Sequence, residues 1–450
     1  MISRWRERLA TILPRGVILL SALTFAAYVM GLVRDRTFAR TFGASSELDV
    51  YNAALVLPEL TLDVLVIAGL SSAFVPVFAR LKHDDGDSTQ VFARTVLTAS
   101  VLIMLVAVGI LFVLAPQTVA IVAPGFDEAQ AAEYTRLFRV MCITAVIFAA
   151  SFALGEMLVV RQRFLTYGLA PVMYNAGIVL GTVVLSPSMG IMGAAIGTVI
   201  GALMHLGVRV IEIMRTDFRY RPALATRSSG FRQYLRLAIP KAIAQPIEPL
   251  TFLFFTSVAS TFVAGSISSV SFARNFQSVP VALIGVAFAV TAFPVMSAAA
   301  ADGDRARFTR LVVTNLVTIS VLSLAAAVGL WLVGGFAVEL FLGGEAFDAD
   351  DVELTTMLLG AFALSVPLEA VTHLLSRALY STSNTILPVM ASVIGLVVTV
   401  LTVNLLLDEH GIVALPLGFA AGLAGKVMVS AVALAFRLRT VGTAPSIPEG

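Results

Sequence analysis

From residue 95 to residue 117 the chain carries no charged side chain. A helix crosses a hydrocarbon core about 30 Å thick with roughly 20 apolar residues, and inside lipid every backbone amide must find its partner within the segment or a closed barrel. A run of this length and character reads as a membrane-spanning helix. Further candidates lie at 16–38, 50–79, 136–160, 165–186, 190–213, 235–263, 267–299, 311–334, 354–378, 384–407 and 411–436, making about twelve expected spans. Composition agrees: the chain is 58% hydrophobic and 13% charged, with a mean hydropathy of +0.94, whereas soluble domains are about 25% charged. The expected fold is an all-α polytopic membrane protein.

The short connectors test that reading, because Lys and Arg collect on the cytoplasmic side of a membrane protein. With the N-terminus inside, the inner connectors carry Arg80 and Lys82, Arg161 and Arg163, the basic stretch Arg215 to Arg236, then Arg305, Arg307 and Arg310, then Arg377, and finally Arg437 and Arg439. The outer connectors are acidic: Asp127, Glu128 and Glu133, then Glu345 to Glu353, then Asp408 and Glu409. Both termini are expected in the cytoplasm, and Arg4, Arg6 and Arg8 precede a first span rather than a cleaved signal. Arg34, Arg36 and Arg40 break the pattern at the outer end of the first span, which calls for a functional reason. The formal net charge is only +2, so nothing points to nucleic acid as a partner. The single Cys142 excludes an internal disulfide and a cysteine metal cluster.

The chain also resembles itself at an offset of about 220 residues. Ala170-Pro171-Val172-Met173 returns as Leu387-Pro388-Val389-Met390, Gly190-Ile191 with Gly197 as Gly411-Ile412 with Gly418, and Ala73-Phe74 before Pro76 as Ala292-Phe293 before Pro294. Two six-helix lobes, 1–225 and 226–450, are expected. An even number of spans per copy makes the repeat parallel, with a central cavity between the lobes.

No metalloprotease, nucleophile-elbow or phosphate-loop signature is present; Gly425-Lys426 is followed by Val427, where a magnesium-binding hydroxyl would have to stand. An enzyme is not expected, and neither is a cofactor. What remains is a set of ionisable residues inside spans, each costing about 2.5 to 3.5 kcal/mol on insertion scales. They are Arg34, Asp35, Glu59, Asp63 and Glu156 in the first half, and Lys241, Glu248, Arg274, Glu369 and His373 in the second, with Asp49 at the outer start of the second span. Lys241, Gln245 and Glu248 fall at i, i+4 and i+7 on one face of a helix whose backbone hydrogen bonds Pro240, Pro246 and Pro249 interrupt, so a bent, polar-faced helix lining a cavity is expected. Internal ion pairing such as Lys241 with Glu248 is the alternative for any one of these residues. His205, His373 and Glu156 read first as packing residues, and Arg209 and Arg377 as cations snorkelling to the interface. Arg34 and Arg274 carry a sharper implication. Arginine stays charged in any setting and its planar fork matches phosphate oxygens, so a phosphorylated anionic substrate is implied.

Gly31-Leu32-Val33-Arg34-Asp35, Ala39-Arg40-Thr41-Phe42-Gly43-Ala44, Asp49, Leu57-Pro58 and Ser72-Ala73-Phe74-Val75-Pro76 together resemble the opening of the MviN/MurJ lipid II flippase family. The likeness continues through Ala123-Pro124-Gly125-Phe126, Arg163-Phe164, Ala170-Pro171, Asn175, Ala264-Gly265-Ser266, Gly285-Val286-Ala287, Tyr380-Ser381 and Pro388. The resemblance implies a member of the multidrug/oligosaccharidyl-lipid/polysaccharide exporter superfamily working by alternating access. It implies lipid II as the substrate, an undecaprenyl pyrophosphate bearing a peptidoglycan precursor, moved to the outer leaflet of the bacterial cytoplasmic membrane. Arg34 and Asp49 fall on matching positions and carry the substrate role. The family's arginine before the glycine is Tyr28 here, its arginine pair in the second span is Leu62 and Asp63, and its arginine in the eighth span aligns with Asn275, one place after Arg274.

The implied partners are a lipid-linked pyrophosphate, membrane lipids and proteins of cell-wall synthesis. The basic connector near 215–234 reads as a phospholipid headgroup contact. Two other functions stay open on residue grounds: cation-coupled export of drugs or another polyprenyl-linked glycan, in which Glu59, Asp63 and Glu248 would bind an unidentified coupling ion, and a non-transporting scaffold for cell-wall enzymes.

Overall fold

The computed structural model describes residues 15–84, 86–244, 246–382 and 384–438. Arg4, Arg6, Arg8, Arg439 and Gln245 lie outside the described residues. Those that are described form helices joined by short turns, with no strand among them.

The chain divides into two compact units, Met1–Ala264 and Gly265–Gly450. In the first, α1 is Arg15–Phe42, α2 Ser46–Leu62, α3 Val75–Asp84, α4 Gly86–Val113, α5 Ala115–Val122, α6 Glu128–Val160, α7 Phe164–Met189, α8 Ile191–Met214, α9 Ser229–Ala244 and α10 Ile247–Ala259. In the second, α11 is Ser266–Pro280, α12 Ala287–Ala301, α13 Arg305–Leu342, α14 Ala349–Ala363, α15 Ser365–Ser381, α16 Ile386–His410 and α17 Ala414–Leu438.

Among the described residues, nine helical runs are long and apolar enough to cross a membrane, or ten when α14 and α15, bent by 43°, are taken as one span. One of the nine is the 53-residue run Ile386–Leu438. At 1.5 Å per residue a straight helix of that length would be more than twice as long as a bilayer core is thick. It folds instead as α16 and α17, which pack against each other across a turn at Gly411, where φ is 54°.

The duplication read from sequence is legible in the geometry of each unit. Gly190 (φ 57°, ψ −141°) turns α7 into α8 as Gly411 (φ 54°, ψ −137°) turns α16 into α17. Asp127 caps α6 by accepting from the Gln130 amide, and Asp348 caps α14 by accepting from the Asp350 and Asp351 amides. A π-helical turn at Asp63–Ile67 follows α2, and one at Val281–Val286 follows α11. Each pair is separated by the same offset of about 220 residues. In both glycine-turned hairpins the helices meet through small residues. A Cβ on Gly181 would overlap Gly197, and one on Gly422 would overlap Thr399, the close approach that small residues permit between membrane helices.

The boundary between compact units does not coincide with residue 225. Counting repeats places Ser229–Ala259 in the second half, but these helices pack on the first unit: Tyr234 meets Phe92 edge to face at 6.1 Å, and α10 contacts α2. Gly125, in the loop after α5, donates its amide to Ser260 Oγ at 3.1 Å, and a Cβ there would overlap the Ser260 carbonyl.

One reading of an individual residue is corrected. Arg209 does not snorkel: it is 2% exposed, donates to the Ser151 carbonyl at 2.7 Å, and lies 5.4 Å from the Phe152 ring and 5.2 Å from the Tyr167 ring. Its stem is too far inside the unit for the head to reach the interface, and two aromatic faces replace water around it. The prolines expected to interrupt the helix fall where one helix gives way to the next. Lys241 sits in the last turn of α9 and Glu248 in the first turn of α10, with Pro246 at the α10 cap. Proline has no amide with which to continue the α9 ladder. Arg377, half-buried, lies 5.9 Å from the Phe293 ring. His205 is buried with Nδ1 2.8 Å from Ser151 Oγ, a packing role.

Candidate substrate site

In the first unit the sequence-selected residues gather around the lower part of α1 and the length of α2. Arg34 is held against its neighbour: Nε and Nη2 both donate to Asp35 Oδ1, at 3.0 and 2.8 Å. The Asp35 side chain is 5% exposed and that of Arg34 26%. A buried carboxylate therefore fixes the guanidinium, while part of the arginine side chain stays accessible.

Asp49 is buried in the first turn of α2, behind the Ser45 cap. One residue pair on, Tyr51 packs edge to face on Phe38 at 5.1 Å and shares a 2.6 Å hydrogen bond with Thr198 of α8. This ties α1, α2 and α8 together below Arg34. Arg34 lies within electrostatic reach of Tyr51 and of Tyr174 on α7. Tyr174 was not singled out in the sequence, where a tyrosine in an apolar span carries no charge signal.

Further along α2, Glu59 is exposed and Asp63, at the start of the π-helical turn, is half-buried. Glu59 feels the charges of Arg34 and Asp63, and Asp63 that of Glu248. The fold thus brings Arg34, Glu59, Asp63 and Glu248 into one electrostatic chain, although 214 positions separate the first from the last (248 − 34). A π-turn re-aims the side chains that follow it and is frequent at functional sites. Tyr28, six residues before Arg34 on α1, is 38% exposed. Lys241 is half-buried at the end of α9.

In the second unit Arg274 is inside a polar network. Its Nη2 donates to Glu369 Oε1 at 2.7 Å, its Nη1 donates to Gln277 Oε1, and its Cζ lies 5.1 Å from the Phe419 ring. Gln277 Nε2 in turn donates to Glu369 Oε2 at 3.0 Å and to Ser365 Oγ at 2.9 Å. Every member is satisfied within the unit, as a buried charge in a low-dielectric setting requires. Asn275 is half-buried on the adjoining face of α11, turned about 100° from Arg274. Sequence reasoning named Glu369 as an ionisable residue but not as the partner of Arg274, since the two are far apart along the chain.

Apolar helices of membrane-spanning length, with the same glycine turn at Gly190 and Gly411 and ionisable side chains paired inside each unit, define a polytopic membrane protein. The fold agrees: a solved structure described as lipid II flippase MurJ in an inward closed conformation matches 95% of this chain and 90% of its own, with a TM-score of 0.82 at 22% identity. An inward-facing multidrug resistance MATE family transporter of the MOP superfamily matches with a TM-score of 0.80 at 14% identity, over 95% of this chain and 99% of that one. The family model described as lipid II flippase MurJ matches residues 38–444. The chain belongs to the lipid II flippase MurJ family. Among relatives, the probable lipid II flippase MurJ of Thermotoga maritima is 27% identical over 91% of this chain and 80% of its own length. The lipid II flippase MurJ of Burkholderia cenocepacia is 25% identical over 91% and 81%.

Proposed function

We propose that this protein is a lipid II flippase that carries the undecaprenyl-pyrophosphate-linked peptidoglycan precursor from the inner to the outer leaflet of the bacterial cytoplasmic membrane. The observation that carries the reading is the family match over residues 38–444, joined to an intramembrane arginine whose side chain stays partly accessible beside a buried carboxylate. Moving a diphosphate through hydrocarbon is prohibitive unless fixed cations replace its water. Arg34 supplies such a cation in the first unit, with Asp35 setting its position, and Asp49 is assigned to substrate contact. Arg274 and Asn275 are the corresponding substrate candidates of the second. Lys241, Gln245 and Glu248 are assigned to substrate contact, and Glu59, Asp63 and Tyr28 to the lining or to coupling.

We count twelve passes, with both termini in the cytoplasm, and transport by alternating access with no chemical conversion and no resident cofactor. The partners are the lipid-linked diphosphate, the surrounding lipids and the proteins of cell-wall synthesis that consume the product. A second reading draws on the exposed Glu59 and Glu248: carboxylates of this kind suit coupling to a cation, whatever the exported molecule. The test is accessibility of lipid II at the outer leaflet of cells in which this protein is the sole flippase and is then depleted. Lipid II is expected to disappear from the outer leaflet and accumulate inside. Unchanged outer accessibility would reject the function.

A further inference from the structure

At the ends of α6 and α7 two clefts adjoin. One, of about 1010 Å³, is lined by Phe78, Lys82, Gln90, Arg161, Arg163 and Asp217 among others. The second, of about 530 Å³, is lined by Leu19, Phe164, Leu165, Glu212 and Arg215. Gln162 and Arg163 line both.

Gln162 has φ 57°, a left-handed conformation unique among the described residues other than glycine and unfavourable for a side chain with a Cβ. Strain of this kind persists where surrounding structure demands it. Here it turns the chain so that Arg161 and Arg163 both face the clefts. The ion pairs that hold these arginines are long: Arg161 to Asp217 at 3.3 Å, Arg163 to Glu212 at 3.4 Å, and Arg215 to Glu212 at 3.4 Å. Arg161 Nη1 is buried and has no hydrogen-bond partner, while its Cζ lies 5.5 Å from the Phe78 ring. Arg163 is the cap residue of α7, and no side chain caps the first amides of that 26-residue helix. A helix start of this kind, left without an acceptor, attracts phosphate oxygens.

The two linings together hold four cations, Lys82, Arg161, Arg163 and Arg215, against two carboxylates, Asp217 and Glu212. Apolar surface continues from the charged end: Leu19 is 38% and Leu165 54% exposed. A free phosphate would use the first feature and leave the second unmatched. We propose that the paired clefts bind an anionic phospholipid, its phosphate on Arg161, Arg163 and the first amides of α7, and its acyl chain along Leu19 and Leu165. Neither lining includes Arg34 or Arg274, and the proposal does not depend on which lipid-linked glycan the protein moves. Bound there, the lipid pins the strained turn between α6 and α7.

The experiment is native mass spectrometry of the full chain released from detergent, titrated with phosphatidylglycerol, phosphatidylcholine or inorganic phosphate. Phosphatidylglycerol is expected to be retained in preference to phosphatidylcholine, with Arg161→Gln and Arg163→Gln each weakening retention about fivefold. Lys82→Gln alters only an exposed rim residue, so it leaves the turn folded and is expected to weaken retention in the same direction. Arg136→Gln, far from the clefts and paired with Glu133, is expected to change nothing. Equal retention of the two lipids, indifference to all three cleft variants, or displacement by inorganic phosphate at the same concentration as the lipid would each overturn the proposal.

Discussion

Glu369 holds Arg274 at 2.7 Å within the second unit, and Gln277 closes the arrangement by donating to the other Glu369 oxygen at 3.0 Å. An arginine read from sequence as a substrate cation therefore spends this conformation neutralising a carboxylate of its own unit. Substrate can reach it only by exchange for Glu369.

That pairing sets a stability expectation. Breaking a buried pair from one side leaves an uncompensated charge and costs about 3 to 5 kcal/mol. Glu369→Ala alone is expected to lower unfolding stability in detergent by that order, whereas Arg274→Met with Glu369→Leu is expected to restore most of it. Denaturant titration of the two variants checks this, and an unaffected single variant would show that the pair is not buried in the working protein.

The same geometry bears on which position of α11 meets substrate. If Arg274 is committed to Glu369, Asn275 on the adjoining face is the better placed of the two. In cells where this gene replaces the host's flippase, Arg274→Ala is expected to lower protein level more than activity per molecule. Asn275→Ala is expected to do the reverse. Normalising growth rescue to membrane-inserted protein separates the two, and the opposite ordering returns the substrate role to Arg274.

Arg209 gives a further expectation in the first unit. Arg209→Ala removes a buried side chain stacked between two aromatic rings together with its hydrogen bond to the Ser151 carbonyl. A loss of about 2 to 4 kcal/mol is expected. Arg209→Lys is expected to recover little, because an ammonium lacks the planar surface that lies on Phe152 and Tyr167. Recovery by lysine to the wild-type melting temperature would mean that charge alone matters there.

The hairpins make a test of the duplicated architecture. Gly181→Val is expected to force α7 and α8 apart, since even a Cβ on Gly181 overlaps Gly197. Gly329→Val, where a Cβ meets nothing within 4 Å, is expected to be tolerated within a few tenths of a kcal/mol. Thermal unfolding of both variants reads the difference, and equal behaviour would contradict the close approach.

Much of the architecture was legible because membrane physics writes it in one dimension. Span length, cation placement and the repeated glycine turns at Gly190 and Gly411 are local signals, and the structure returns the same turn angles at both. What sequence could not supply was partnership. Glu369 with Arg274, Tyr51 with Thr198, and Arg209 with Ser151 are each pairs joined only by folding. A charge near the end of a span looks the same on paper whether it snorkels or turns inward, and Arg209 turned inward. The twelve expected spans exceed the nine or ten that length and hydropathy yield among the described residues, in part because α16 and α17, joined by the short turn at Gly411, count there as the single run Ile386–Leu438.

The central claim is that a fixed guanidinium at Arg34 stands in for water around a diphosphate in transit. The most direct measurement is translocation of lipid II across vesicles reconstituted with purified protein, read as the rate at which it becomes accessible on the far leaflet. The wild-type chain is expected to translocate, Arg34→Lys to retain part of the rate, and Arg34→Ala to fall to the rate of protein-free vesicles. Translocation by Arg34→Ala at the wild-type rate would contradict the account.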